Sequence, residues 1–238
     1  MQHEIVVLIP FHIGSLDLSI TAQVLWIFVS SILVILFGLF ARRRMTEVPD
    51  RLVQHLFEIT LDFIENQILE PNDLDRKRWT PLFLSLFLFI FFSNLVNIIP
   101  GGASPSGNLN TTAALSFVFF VMALGMRFRY HGPFGFFKSI IPEGIHGPMV
   151  AMLFPIEFIS LLFQPISLAL RLFANMMGGH TLFLTILAFA AMAHNFIIPV
   201  FSVGGSIAIL LFELFICFIQ AYIFTFLGAL MFAQAKEH

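Results

Sequence analysis

The chain has 238 residues, of which 58% are hydrophobic and only 11% charged, and its mean hydropathy is +0.93. Soluble domains carry about 25% charged residues, so this composition excludes an ordinary water-soluble protein and predicts an integral membrane protein. The net charge of −2, with charges clustered in a few short segments, does not indicate nucleic acid binding, and the single cysteine, Cys217, excludes an internal disulfide or a cysteine metal site.

Residues 20–40 predict the first transmembrane helix, because about 20 apolar residues are needed to cross roughly 30 Å of hydrocarbon. Three arginines at positions 42–44 follow it, which places this end in the cytoplasm by the positive-inside rule and the N-terminus outside. The first 18 residues lack a basic n-region and a small-residue cleavage pattern. We therefore expect no signal peptide, and the first helix serves as its own insertion signal.

Residues 49–69 predict an amphipathic helix, in which apolar positions recur at helical spacing between charged ones. A segment with this many charges cannot span the bilayer. It can lie along the cytoplasmic interface or bind a partner helix, and both alternatives stay open. The apolar positions are Leu52, Leu56, Ile59, Phe63 and Ile64.

Residues 81–99 and 111–126 predict the second and third transmembrane helices. The second is rich in phenylalanine, carries Asn94 and Asn97 near its end, and stops at a Pro-Gly-Gly sequence. The Gly/Ser/Asn segment up to residue 110 is then an outer loop. Basic residues follow the third helix and again mark the cytoplasmic side, so the predicted orientation is self-consistent.

Residues 147–193 form a nearly uncharged stretch of 47 residues. As one straight helix it would measure about 70 Å, roughly twice the hydrocarbon thickness, so it must tilt, bend or break, and Pro155 and Pro165 provide places to bend. Residues 200–235 predict a second overlong helix returning to the cytoplasm. We predict an overlong tilted hairpin; the alternative is two conventional spans in residues 147–193, which would place the C-terminus outside.

The predicted fold is therefore one all-α membrane domain covering residues 1–238, with about five transmembrane helices and one cytoplasmic interfacial amphipathic helix. We find no internal repeat in the sequence.

Between Met149 and Met192, Arg171 is the only lysine or arginine. A cation at the centre of a membrane helix costs roughly 2.5–3.5 kcal/mol on insertion scales, so it is usually retained for function. At about 100° per residue, five polar side chains fall within about 40° of Arg171 and form one stripe with it, whereas His180 falls on the opposite face. The five are Glu157, Ser160, Gln164, Ser167 and Asn175.

A second polar stripe is predicted on the last helix, where Ser206, Glu213 and Gln220 recur every seven residues. Small and amide side chains often join membrane helices, so interhelical packing is the alternative for the serines and amides. Buried acids in lipid more often mark ion or proton routes.

Two titratable groups lie on either side of Arg171 along its helix. Glu157 is about 21 Å away on the cytoplasmic side and His180 about 13 Å away on the outer side, at ~1.5 Å per residue. Glutamate and histidine can take up and release protons, whereas arginine keeps its proton. This arrangement is typical of a proton path with a fixed charge in it.

Residues 165–180, which read PISLALRLFANMMGGH, closely resemble the signature of subunit a of rotary F-type ATP synthases. The segments FIQAYIFTFLGALMFAQAKEH and SNLVNIIPG agree with the same family. The resemblance implies that Arg171 faces the carboxylates of a rotating ring of c subunits and divides two half-channels. It further implies that Ser167, Asn175 and Gln220 line the ring-facing path, that Glu157 lies in the cytoplasmic half-channel, and that His180, Glu213, Asn94 and Asn97 lie in the outer one.

The same resemblance implies a subunit that is not an enzyme by itself, binds no cofactor or metal, and assembles with the c-ring, the peripheral-stalk b subunits and the remainder of the ATP synthase. The bacterial inner membrane is the expected location. Some family members have Glu in place of His180 and His in place of Glu213, and many have Asp in place of Asn108 and an acid near Asn97, so we expect a less acidic outer vestibule here. A sodium-translocating version, a secondary transporter binding an anionic substrate at Arg171, and a structural scaffold are the alternatives; a transporter would predict inverted repeats.

Overall fold

A computed structural model of the chain describes residues 7–9, 12–13, 16–17, 20–42, 52–98, 105–140, 148–192 and 197–237. Within these ranges the chain forms six α-helices. They are α1 (Ala22–Arg42), α2 (Leu52–Ile64), α3 (Arg76–Leu95), α4 (Leu109–Lys138), α5 (Pro148–Met192) and α6 (Ile197–Glu237). Before α1, the strands β1 (Val7–Ile9), β2 (His12–Ile13), β3 (Leu16–Asp17) and β4 (Ile20–Thr21) form two antiparallel pairs, β1 with β4 and β2 with β3.

Five of the described helices, α1, α3, α4, α5 and α6, are long and apolar enough to cross a membrane. The prediction of an all-α integral membrane protein is therefore confirmed. The strands are two or three residues long and contribute only a small element before the first span.

The ends of α3 and α4 differ from the sequence prediction. α3 begins at Arg76 instead of residue 81, because the carboxylate of Asp75 caps the helix by accepting a hydrogen bond from the backbone N–H of Lys77 at 3.1 Å. α4 continues beyond residue 126 to Lys138, with a break at Gly132, whose φ of 68° lies in the left-handed region that favours glycine. The basic residues that were predicted to follow the third span are thus still helical.

Basic side chains of α4 bind the C-terminal end of α6, which explains why α4 continues. The last four carbonyls of a helix have no partner within the helix. The guanidinium of Arg127 donates to the carbonyl oxygen of Gln234 at 3.1 Å, and Nε2 of His131 lies 3.2 Å from the carbonyl oxygen of Ala235. These contacts fasten α4 to the end of α6.

The turn between α2 and α3 also binds the C-terminal end of α6, through Asp73 and Lys236. The ammonium of Lys236 lies 2.8 Å from Oδ2 of Asp73. This hydrogen bond, together with the charge of Lys236, lowers the pKa of the exposed Asp73 carboxyl. A lowered folded-state pKa means that the contribution of the pair is present at neutral pH and is lost as the pH falls through that pKa.

α2 presents its apolar side chains to two different surroundings. Leu52, Leu56 and Ile59 are exposed, whereas Ile64 is fully buried and Phe63 packs on Phe87 with ring centroids 5.9 Å apart. A π-helical turn, Glu65–Leu69, continues the buried part. The sequence pattern placed all five apolar positions on one surface; in the structure only the first three remain available to a membrane interface or a partner, and the interfacial location stays a prediction.

α5 is one continuous helix of 45 residues with Pro155 and Pro165 inside it, and α6 has 41 residues. The alternative of two separate spans in this region is therefore not what the chain adopts. α5 buries Leu168, Leu172 and Met176 against the rest of the bundle.

An aromatic cluster packs α3, α4 and α6 together. The fully buried rings of Phe83 and Phe232 meet edge to face with centroids 5.5 Å apart, Trp79 meets Phe232 in the same way at 5.1 Å, and Phe119 lies 6.1 Å from Phe232. Such aromatic pairs add stability beyond the area they bury. Phe232 is the common member of these three contacts.

Replacing Phe232 with alanine should lower the free energy of unfolding by about 3–5 kcal/mol, because the change leaves a cavity between three helices. The measurement is the thermal unfolding midpoint of the purified complex in detergent. Phe117→Ala is the matched control, since Phe117 is 60% exposed in the chain. Equal shifts for the two variants would contradict a central role for the cluster.

Candidate functional site

Arg171 lies on the exposed surface of α5, on a polar stripe whose members Gln164 and Asn175 reach α6. Ser167, Arg171 and Asn175 are all exposed, while Leu168 and Leu172, on the adjoining side of the helix, are 1% exposed. The polar stripe predicted from helical spacing is thus present on the outer surface of the chain in its central part.

The surroundings of Arg171 on this face are apolar. Phe163, Ile166 and Leu170 are 60%, 48% and 48% exposed and lie to one side of the stripe on the same helix. Among the described residues, no side chain forms a hydrogen bond or an ion pair with Arg171. An unpaired guanidinium within a membrane-spanning helix is costly, so a counter-charge from outside the chain would stabilise it.

Asn175 connects the two polar stripes. Its Nδ2 donates to Oε1 of Gln220 at 2.7 Å, which joins α5 to α6 one helical turn from Arg171. Ser206, Glu213 and Gln220 are 8%, 6% and 2% exposed, so the seven-residue spacing does place them on one buried face of α6. Nε2 of Gln220 is also buried and has no hydrogen-bond acceptor among the described residues.

Glu213 packs against Gly179 on α5. A Cβ atom at position 179 would lie 3.1 Å from Oε1 of Glu213, so the absence of a side chain there leaves room for the carboxyl. Gly179 directly precedes His180 in α5, but the side chain of His180 lies outside the described residues. The structure therefore brings Glu213 to the segment that carries His180.

Glu157 and Asn94 lie apart from this centre. Glu157 is partly buried on α5 and has a favourable charge interaction with Arg127 of α4. Asn94 is fully buried near the end of α3, where its Oδ1 accepts a hydrogen bond from the hydroxyl of Ser106 at 2.7 Å. The side chain of Asn97 lies outside the described residues.

Sequence reasoning did not single out three of the polar residues in these contacts: Ser106, Arg127 and Gln234. The sequence predicts Ser106 in the outer loop and Arg127 in the basic segment after the third span, and no local pattern indicates their partners. In the part of the chain that the structure describes, no group of three histidine, cysteine, aspartate or glutamate side chains could hold a metal ion.

Comparison with known proteins gives one consistent result. The family model described as ATP synthase A chain matches residues 24–233. The ATP synthase subunit a of Chloroherpeton thalassium is 33% identical over 98% of this chain and 72% of its own length. The subunit a of Magnetococcus marinus is 35% identical over 92% of this chain and 85% of its own, and that of Pelodictyon phaeoclathratiforme is 36% identical over 95% and 68%.

The matched region contains five helices able to span a membrane and the polar faces of α5 and α6 described above. The chain belongs to the ATP synthase subunit a family and is an integral membrane subunit of an ATP synthase complex, with a part in ion transport and ATP synthesis.

Proposed function

We propose that the chain is the proton-translocating stator subunit of an F-type ATP synthase, with two half-channels that open onto a rotating ring of c subunits and with Arg171 as the divider between them. In this role the subunit carries out no chemical reaction itself. The observation that carries the proposal is the exposed position of Arg171 among apolar side chains on the outer face of α5.

The exposure of Arg171 supports a protein partner over an enclosed substrate site. A secondary transporter would bind its anion in a cavity near the centre of the bundle, whereas this guanidinium is exposed on the surface of the chain. A ring of c subunits with a carboxylate at membrane depth would supply the missing counter-charge. Arg171 then attracts each ionised carboxylate and repels a proton that would pass directly between the two half-channels.

The outer half-channel is proposed to run past Asn94, Asn97, His180 and Glu213 to the ring. The burial of Glu213 at 6% exposure supports this assignment, because a buried carboxyl in a membrane protein most often belongs to an ion or proton route. The hydrogen bond between Asn175 and Gln220 holds α5 and α6 together at the inner end of this route. A proton that arrives there neutralises a ring carboxylate, which can then move away from Arg171 into lipid.

The cytoplasmic half-channel is proposed to begin where the ring carboxylate returns to Ser167 and to continue past Glu157. The partly buried position of Glu157, on the same helix as Arg171, supports this path. The peripheral-stalk b subunits are the expected partners on the side away from the ring. A bacterial inner membrane, with the N-terminus outside and the C-terminus in the cytoplasm, is the location we propose.

The transported ion can be identified with inverted membrane vesicles that contain the whole synthase. We expect ATP to acidify the vesicle interior, a protonophore to abolish this acidification, and removal of sodium to leave its rate unchanged. A non-hydrolysable ATP analogue is the control. ATP-driven uptake of sodium that persists with the protonophore present would instead identify the sodium-translocating version of the subunit.

A further inference from the structure

A polar cluster joins α4, α5 and α6 near the end of α6. It lies about four helical turns beyond Gln220, the side chain of α6 that is proposed to face the ring. Gln234 is its common member: its Oε1 accepts from Nε2 of Gln164 at 3.4 Å, and its backbone oxygen accepts from Arg127 at 3.1 Å. One residue of α6 thus binds side chains from both neighbouring helices.

Arg127 is a buried cation in this cluster, with 7% of its surface exposed. A guanidinium carries five N–H donors, and the oxygen of Gln234 is the one acceptor that the described residues offer it. The charge of Glu157 lies close enough to Arg127 for a favourable interaction. A buried charge needs most of its donors satisfied, so Arg127 requires a further acceptor.

Gln164 needs a hydrogen-bond donor, whereas Arg127 needs an acceptor. Its Oε1 is buried and accepts no hydrogen bond from the described residues, while Gln234 occupies the other end of the amide. Arg127, Gln164 and Gln234 border one small cavity with room for about one water molecule. A buried water needs two to four polar partners.

We propose that this cavity is a binding site for a single ordered water, which accepts a hydrogen bond from Arg127 and donates one to Oε1 of Gln164. The water links the guanidinium to α5, the helix that carries Glu157. Arg127 is then a positioning residue, because it cannot lose its own proton and its fixed positive charge acts on Glu157. This inference rests on the proposed function, in which Glu157 belongs to the cytoplasmic half-channel.

Two measurements on the whole synthase test the site. In a high-resolution electron density or cryo-EM map we expect a water within hydrogen-bond distance of Gln164 and Arg127. In inverted vesicles, Gln164→Leu should slow ATP-driven proton pumping by about threefold to tenfold, less than the roughly hundredfold cost of misplacing a reacting group. Gln164→Glu keeps an acceptor oxygen for the water but loses the donor to Gln234, so it should restore the rate only in part.

His131→Ala is the matched control, because His131 also binds a carbonyl at the end of α6 but does not border the cavity. Its pumping rate should equal that of the wild type. A map without the water, or equal rates for Gln164→Leu and wild type, would overturn the proposal. If Gln164→Leu fails to assemble with the ring, the map alone decides. Normal pumping by Arg171→Ala would refute the proposed function, whereas an unchanged Gln164→Leu would refute only the water site.

Discussion

Arg171→Ala should reduce ATP-driven proton pumping to background in inverted membrane vesicles that contain the whole synthase. The guanidinium is exposed on α5 with no ion pair among the described residues, so we expect its counter-charge to be a carboxylate of the ring. Without the cation, that carboxylate has no partner that favours its ionised form at the point where protons must be exchanged. The ring then loses the step that gives its rotation a direction.

Arg129→Ala is the control for the loss of a positive charge as such, because Arg129 is exposed on α4 and has no assigned role in the path. The amount of c subunit that co-purifies with each variant reports whether the complex assembles. Arg171→Lys should restore pumping only in part, since an ammonium is a compact point charge that cannot bind a carboxylate through two parallel hydrogen bonds. Pumping by Arg171→Ala at the wild-type rate would rule out its role as divider.

The polar faces of α5 and α6 could be predicted because helical spacing is a local property of the chain. Ser167, Arg171 and Asn175 share a face wherever α5 packs, and the seven-residue spacing of Glu213 and Gln220 fixes their relative direction in the same way. Which face points to the bundle and which to the outside depends on contacts with other helices. The exposure of one stripe and the burial of the other therefore required the structure.

The contacts between helices could not be predicted for the same physical reason. Asn175 and Gln220 are 45 positions apart, and Arg127 and Gln234 are 107 apart, so no periodicity within one helix relates them. Arg127 was interpreted as a charge that follows the third span. It is instead buried in α4, because the end of α6 and the charge of Glu157 stabilise it there. A charged residue indicates the end of a membrane span only where no residue of another helix forms a hydrogen bond or an ion pair with it.

Glu213→Gln should reduce ATP-driven proton pumping by about a hundredfold, the lower end of the range for side chains that transfer protons. Glutamine matches glutamate in size and can fill the same space beside Gly179, but it cannot take up and release a proton. A carboxyl that serves only packing would tolerate this change. The measurement is again the rate of acidification in inverted vesicles, corrected for the amount of assembled complex.

Thr225→Ala is the matched control on α6, because Thr225 is equally buried and its hydroxyl binds only the backbone oxygen of Ala221 in its own helix among the contacts described. Its pumping rate should stay close to wild type.

Gly179→Ala provides an independent test of the position of Glu213. Its new Cβ would lie 3.1 Å from Oε1 of Glu213 and displace the carboxyl, whereas a Cβ at Gly125 on α4 meets no atom within 4 Å. We expect Gly179→Ala to slow pumping and Gly125→Ala to leave it unchanged. Wild-type rates for both Glu213→Gln and Gly179→Ala would mean that protons reach the ring by a route that does not use Glu213.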